Sequence, residues 1–218
     1  MAVTEYDNEP IPGLPGLLPP GERILWQGRP DRQALARAAF HTRLVTVYFA
    51  LLALWALSSA ALQGIRSPAD LTGTAMTIIA GIVGVALLHL LAWGTARTTI
   101  YTLTNRRIVL RIGMALPKCI NLPLAQIGSV DLAMRADGLG DVALAITGRQ
   151  QLGYIAVWPH ARPWKVAAPQ PMLRALPDAA DVAALVARTC LDVQADGVLT
   201  QPDPIAAPSP VFAGAQAA

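Results

Sequence analysis

His89 interrupts a long run of apolar residues. An imidazole in such a setting is costly unless it finds a partner, so it marks a contact between helices, a ligand or exposure at an interface. Shortly after it come Arg106, Arg107 and Arg111. In a strand, Arg107 and Arg111 share one face while Arg106 belongs to the preceding turn, which predicts one solvated basic edge. Such an edge suits anionic lipid headgroups or a partner protein. A third group, VWPHARPWK at residues 157–165, gathers Trp158, His160, Arg162, Trp164 and Lys165. Trp and Arg combine large apolar area with directional hydrogen bonding and so dominate binding hot spots, although tryptophans beside a membrane anchor also simply lie at the interface. The Pro/Leu-rich arm at residues 10–20 reads either as a docking segment or as a plain flexible tail.

The sequence carries none of the motifs that catalysis commonly needs. There is no GxSxG, HExxH, P-loop or GxGxxG, and Asp137 and Asp141 flank Gly138 and Gly140 in the manner of a hairpin turn. Cys119 and Cys190 are far apart, with no second cysteine near either, so neither a metal site nor a disulfide framework is indicated. No catalytic residue, no metal and no enzymatic activity are expected.

The elements that position these residues follow from composition and period. Of the 218 residues 54% are hydrophobic and 14% charged, where a soluble domain carries about 25% charged. The net charge of +3 comes from arginines beside the apolar segments, not from a separate basic block, so nucleic acid is not an expected partner. Residues 44–62 and 71–93 are uncharged runs of 19 and 23 residues, and as helices each spans about 28 Å or more, close to a hydrocarbon core of roughly 30 Å. The linker at 63–70 allows only a turn, so the two form an antiparallel hairpin. Arg23, Arg29, Arg32, Arg37 and Arg43 precede it, Arg97, Arg106 and Arg107 follow it, and the linker holds Arg66 beside Asp70. That bias predicts a multi-pass membrane protein with both termini cytoplasmic. The acidic, Pro-rich start has no apolar core, so no cleavable signal peptide is expected. Ser58, Ser59, Gly73, Ala80, Gly81 and Gly84 offer small surfaces through which the hairpin packs on itself, on another copy or on another membrane protein.

Around the hairpin the sequence predicts an arm at 1–21, a strand at 22–28 with Ile24 and Trp26 on one face, and a helix from 32 that continues unbroken into the membrane. After it the period becomes that of strands, at 98–104, 107–112, 118–122, 126–132, 142–147 and 153–158. Short strands at this spacing form a compact antiparallel sandwich or barrel, closed by an amphipathic helix at 178–193 whose apolar face is Val182, Leu185, Val186, Cys190 and Val193, with Asp178 as N-cap. Residues 94–195 form this domain and 196–218 a disordered tail.

The order of GERILWQGRPD, a two-helix hairpin, YTLTNRRIVLRIG, NLPLAQIGSVDL and DGLGDVAL resembles the bacterial pleckstrin-homology (PH) membrane proteins. More narrowly, EPIPGLPGLLPPGERILWQG and RPWKVAAPQPMLRALPDAADVAALVA are similar to the PuhB family, the photosynthetic complex assembly proteins of purple bacteria, and the likeness covers residues 9–193. The resemblance implies a PH-like domain built on both sides of the hairpin, and that the membrane is the bacterial inner membrane. It also implies a role in assembling the reaction centre and core light-harvesting (RC-LH1) complex, with their subunits or other assembly factors as partners. The string ALLHLLAW also looks like light-harvesting polypeptides, in which a His ligates bacteriochlorophyll and an aromatic follows four positions later, as Trp93 follows His89. Val85 departs from that pattern, because those polypeptides favour a small residue there. Pigment ligation, hydrogen bonding between helices and interfacial exposure all stay open for His89.

Overall fold

The computed structural model describes residues 11–114, 117–147 and 152–199. The first half of the N-terminal arm and the predicted tail beyond residue 199 lie outside the described residues.

The chain opens with strand β1 (Ile24–Gly28) and helix α1 (Arg32–Ala38), then rises through α2 (Thr42–Gln63) and returns through α3 (Thr72–Thr98). Strands β2 (Ile100–Thr104), β3 (Arg107–Ile112) and β4 (Lys118–Pro123) follow, and join β1 in an antiparallel sheet of order β1-β2-β3-β4. A second antiparallel sheet contains β5 (Ile127–Met134), β6 (Gly140–Ile146) and β7 (Met172–Leu176). Between β6 and β7 lies one helical turn, α4 (Tyr154–Val157), and the described chain ends in α5 (Ala179–Leu199).

Alternation along the strands builds the core, as the two-residue period requires. Tyr101 and Leu103 of β2, Ile108, Leu110 and Ile112 of β3, and Val142 and Leu144 of β6 all point into it. Helix α5 closes it with Val182, Val186 and Cys190, flanked by Leu185 and Val193, the face that its 3.6-residue period predicts. Trp26 reaches across to the start of that helix, its Nε1 donating to Asp178 Oδ2 at 3.0 Å.

A second, smaller cluster joins the hairpin to this domain. Ala34, Leu35 and Ala36 of α1, with Phe40 just beyond it, pack against Ala92 and Ala96 of α3 and Ala175 of β7. Asp31 seats α1 here: its Oδ1 accepts from Ala34 N at 2.8 Å as an N-cap, and its own N–H donates to Ala175 O at 2.8 Å. This packing corrects the predicted continuous helix from residue 32. The helix breaks at His41, whose φ of 50° is left-handed, because α1 must lie across α3 and β7 to bury Leu35 and Phe40.

Three further expectations change. In β1 a bulge between Ile24 and Trp26 breaks the alternation, so Trp26 packs on the core while Ile24 is exposed. The strand predicted at 153–158 is instead the turn of α4, because the free edge of β6 is taken by β7, which the sequence reading did not identify. Part of the arm is ordered: Leu14 is buried, Gln27 Nε2 donates to Pro12 O at 2.8 Å, and Gly13 lies against Ile100. With φ at +87° and a Cβ that would come within 2.7 Å of the Ile100 side chain, position 13 accepts only glycine without strain.

Helices α2 and α3 are long and apolar enough to cross a membrane, and their most apolar stretches are 0% and 11% buried within the protein. Leu51, Leu54 and Trp55 of α2 and Ile82, Val83 and Leu87 of α3 lie on the outside. The two helices meet at Gly81, where a Cβ would come within 2.8 Å of Phe49 Cβ. Gly73 has nothing within 4 Å. Replacing Gly81 with leucine should therefore cost about 1–3 kcal/mol by forcing the helices apart, whereas Gly73→Leu should be tolerated. Thermal unfolding of the two variants in detergent checks this, and equal losses would contradict the contact.

Candidate functional site

Where α3 delivers the chain into β2, a buried polar cluster fixes the segment between β6 and β7. His160 is fully buried; its Nδ1 lies 2.6 Å from the Tyr101 hydroxyl and its Nε2 3.2 Å from Thr99 Oγ1. The Tyr101 oxygen also accepts from Arg174 N at 3.3 Å. We assign the tautomer that satisfies all three groups: Tyr101 donates to Nδ1 and the Nε2 proton goes to Thr99. The main chain of His160 adds two bonds, donating to Val157 O and accepting from Met172 N. Burial, with Arg174 nearby, pushes the imidazole down to about 3, and burial likewise raises the Tyr101 hydroxyl well above its usual range. A neutral, enclosed ring of this kind is a clamp on the loop, out of reach of any external molecule.

The clamp holds the aromatic group outward. Trp158 meets Phe40 edge to face, with centroids 5.7 Å apart, and stays half exposed. Trp164 is 95% exposed. Together with Ala38, Ala39 and His41 at the α1–α2 junction, these tryptophans line a shallow cavity of about 290 Å³. Lys165 and Val166 are exposed beside them, and Ile155 projects from α4. Arg162 turns away to Asp131 of β5 at 2.5 Å and to Gln170 Oε1 at 3.0 Å. The structure thus brings Trp158, Trp164 and Lys165 to the base of the hairpin and commits Arg162 to holding the loop on β5.

The predicted solvated basic edge does not form. Arg107 grips Glu22 with both ends of its guanidinium, Nε to Oε1 at 2.8 Å and Nη2 to Oε2 at 3.0 Å, and Thr104 Oγ1 donates to the same carboxylate. Arg111 is buried, with Nη1 3.5 Å from Cys119 Sγ. These side chains share a face with Ile100 and Thr102 of β2; Gly13 of the arm lies against Ile100, so the face that alternation exposes is covered. Arg106 alone of the three is solvent exposed. His89 lies apart from both groups, exposed on α3 in a groove with Arg32, Gln33 and Arg37 of α1. Both cysteines are free, and among the described residues no group of three or more His, Cys, Asp or Glu could hold a metal ion.

Sequence pattern groups His160 with the hot-spot or interfacial residues of VWPHARPWK, whereas the structure buries it in this cluster. Its signal was available in Tyr101, a polar tip placed at a core position of YTLT, where only a buried hydrogen-bond partner makes it tolerable. With a pKa near 3 when folded against 6.5 ordinarily, His160 binds its proton more tightly in the unfolded chain. Its contribution is complete above pH 6.5 and is lost as pH falls toward 3, at about 1.4 kcal/mol per pH unit. His160→Gln should be less stable at pH 7.5 by about 1–3 kcal/mol, through the Tyr101 hydroxyl it leaves poorly paired, but should lose less between pH 6.5 and 5. Unfolding temperatures across that range test both statements.

Comparison with known proteins joins the two halves of this arrangement. The family model described as Bacterial PH domain matches residues 42–189, from the start of α2 into α5. The chain is also 37% identical over 209 residues, 95% of each sequence, to a Rhodobacter capsulatus protein described as an uncharacterized 23.7 kDa protein in the puhA 5' region. No solved structure matches. The two antiparallel sheets closed by α5, and a family match that takes in hairpin and sheets together, lead to one assignment: the chain belongs to the bacterial PH domain family.

Proposed function

We propose that this protein is a non-enzymatic assembly factor for the photosynthetic reaction centre and its core light-harvesting complex, anchored in the inner membrane by the α2–α3 hairpin with both termini cytoplasmic. The observation that carries the reading is likeness along nearly the whole chain to a protein named for the 5' region of puhA, a reaction-centre gene. The anchor is supported by the apolar surface that both helices turn outward, which water would not tolerate. The orientation rests on the arginines at the hairpin base.

Assembly by contact needs surfaces at two levels, and the molecule offers both. The helices present small and apolar residues within the bilayer, and Trp158, Trp164 and Lys165 project where the helices leave it. Subunits of the nascent complex, or other assembly factors, can therefore be held at membrane and cytoplasmic levels together.

Deleting the gene should lower the near-infrared absorbance of assembled reaction-centre core complex in photosynthetically grown cells. Unchanged absorbance would overturn the proposal, and a defect confined to cells grown without photosynthesis would point to a general membrane role instead. Trp164→Ala should leave the amount of membrane-bound protein unchanged while weakening partner capture by about tenfold or more, read by crosslinked pull-down of reaction-centre subunits.

A further inference from the structure

Helix α1 crosses α3 over small residues, Ala34 and Ala36 against Ala92 and Ala96, so the two backbones approach closely. Long side chains on one side of that seam enclose a groove of about 520 Å³. From α1 it takes Arg32, Gln33 and Arg37. From α3 it takes Ala86, His89, Leu90 and Trp93, a single helix face by their spacing of three and four. One end of the groove is therefore cationic and the other apolar, with His89 between them.

The charge at the polar end is positive. Asp137 lies 3.0 Å from Arg37, and the Asp31 carboxylate caps α1, while Arg97 stacks 5.5 Å over the ring of Trp93. Arg32 is exposed, and neither it nor His89 makes a hydrogen bond to another side chain among the described residues. Trp93 marks the level at which a bilayer meets water, as interfacial tryptophans do. His89 is one helical turn deeper, about 6 Å, where the ester groups of a phospholipid lie.

We propose that this groove binds an anionic phospholipid of the cytoplasmic leaflet. Arg32 and Gln33 donate to the phosphate, the imidazole N–H of His89 donates to a phosphate or ester oxygen, and one acyl chain runs along Leu90 and Ala86. The volume falls within the range of small-ligand sites, and basic pockets beside membrane helices on this side select anionic headgroups. The site rests on the hairpin being in the bilayer but not on the assembly role.

The test uses the full-length protein purified in mild detergent, offered equal amounts of phosphatidylglycerol and phosphatidylcholine, with retained lipid counted by native mass spectrometry. Phosphatidylglycerol should be retained in preference. Arg32→Gln should reduce that retention about fivefold, His89→Leu should reduce it as well, and Arg188→Gln on α5 should not. Excess inorganic phosphate should leave the lipid in place, because the apolar half of the groove holds the chain. Equal retention of the two lipids, retention unchanged in Arg32→Gln, or displacement by phosphate alone would each overturn the proposal. So would a wild-type protein that keeps bacteriochlorophyll through His89 with no preference between lipids. Matching unfolding temperatures show that the variants are folded. Assembled core complex, scored separately in cells carrying Arg32→Gln, tells failure of this site from failure of the assembly reading.

Discussion

Strand β1 precedes the helical hairpin and β2 follows it, yet the two pair antiparallel from Ile24 opposite Thr104 to Gly28 opposite Tyr101. That pairing closes a loop through α1, α2 and α3, so both feet of the hairpin stand on one sheet. Glu22 locks the junction by accepting from Thr104 and from both ends of the Arg107 guanidinium, and Trp26 carries the same strand across to the head of α5. The small cluster of α1, α3 and β7 braces the opposite side. Rotation of the helices relative to the domain is therefore resisted at two separated points, and grooves at the hairpin base keep a defined shape.

Period and length made much of this legible. The two apolar helices, the strands between residues 98 and 147, and the apolar face of α5 follow from hydrophobic spacing that tertiary contacts did not override. Where the reading failed, a long-range contact had outweighed a local pattern. Arginines on one strand face look solvated until an N-terminal arm lies over that face, and no local spacing reveals that Gly13 reaches Ile100. Residues 153–158 have the composition of a strand, but strand identity depends on a free edge, and β7 occupies it. The break at His41 likewise reflects what α1 must bury, not what residues 39–41 prefer.

The candidate surfaces were legible by residue type and illegible by role. Trp158 and Trp164 line the cavity at the α1–α2 junction, and Lys165 is exposed beside them. Of the arginines, Arg107 pairs with the buried Glu22 carboxylate, Arg111 is buried beside Cys119, and Arg162 pairs with Asp131 at the surface. Planar guanidinium groups serve either purpose, because their donors satisfy a buried carboxylate as readily as a partner's. Only the surroundings distinguish the two uses.

The split of the first sheet across the hairpin has a consequence for biosynthesis. As the chain leaves the ribosome, β1 emerges first and remains without a partner while α1 and both long helices are made. Its bulge and short length limit unwanted pairing during that wait. Only when α3 brings the chain back beside β1 does β2 meet it, and only then can β3 through α5 condense on a complete sheet. A chain whose second helix failed to return would expose an open sheet and an unfilled core, the features by which quality-control proteases recognise their substrates. Completion of the first sheet thus depends on α2 and α3 lying antiparallel, since only that arrangement returns β2 to β1.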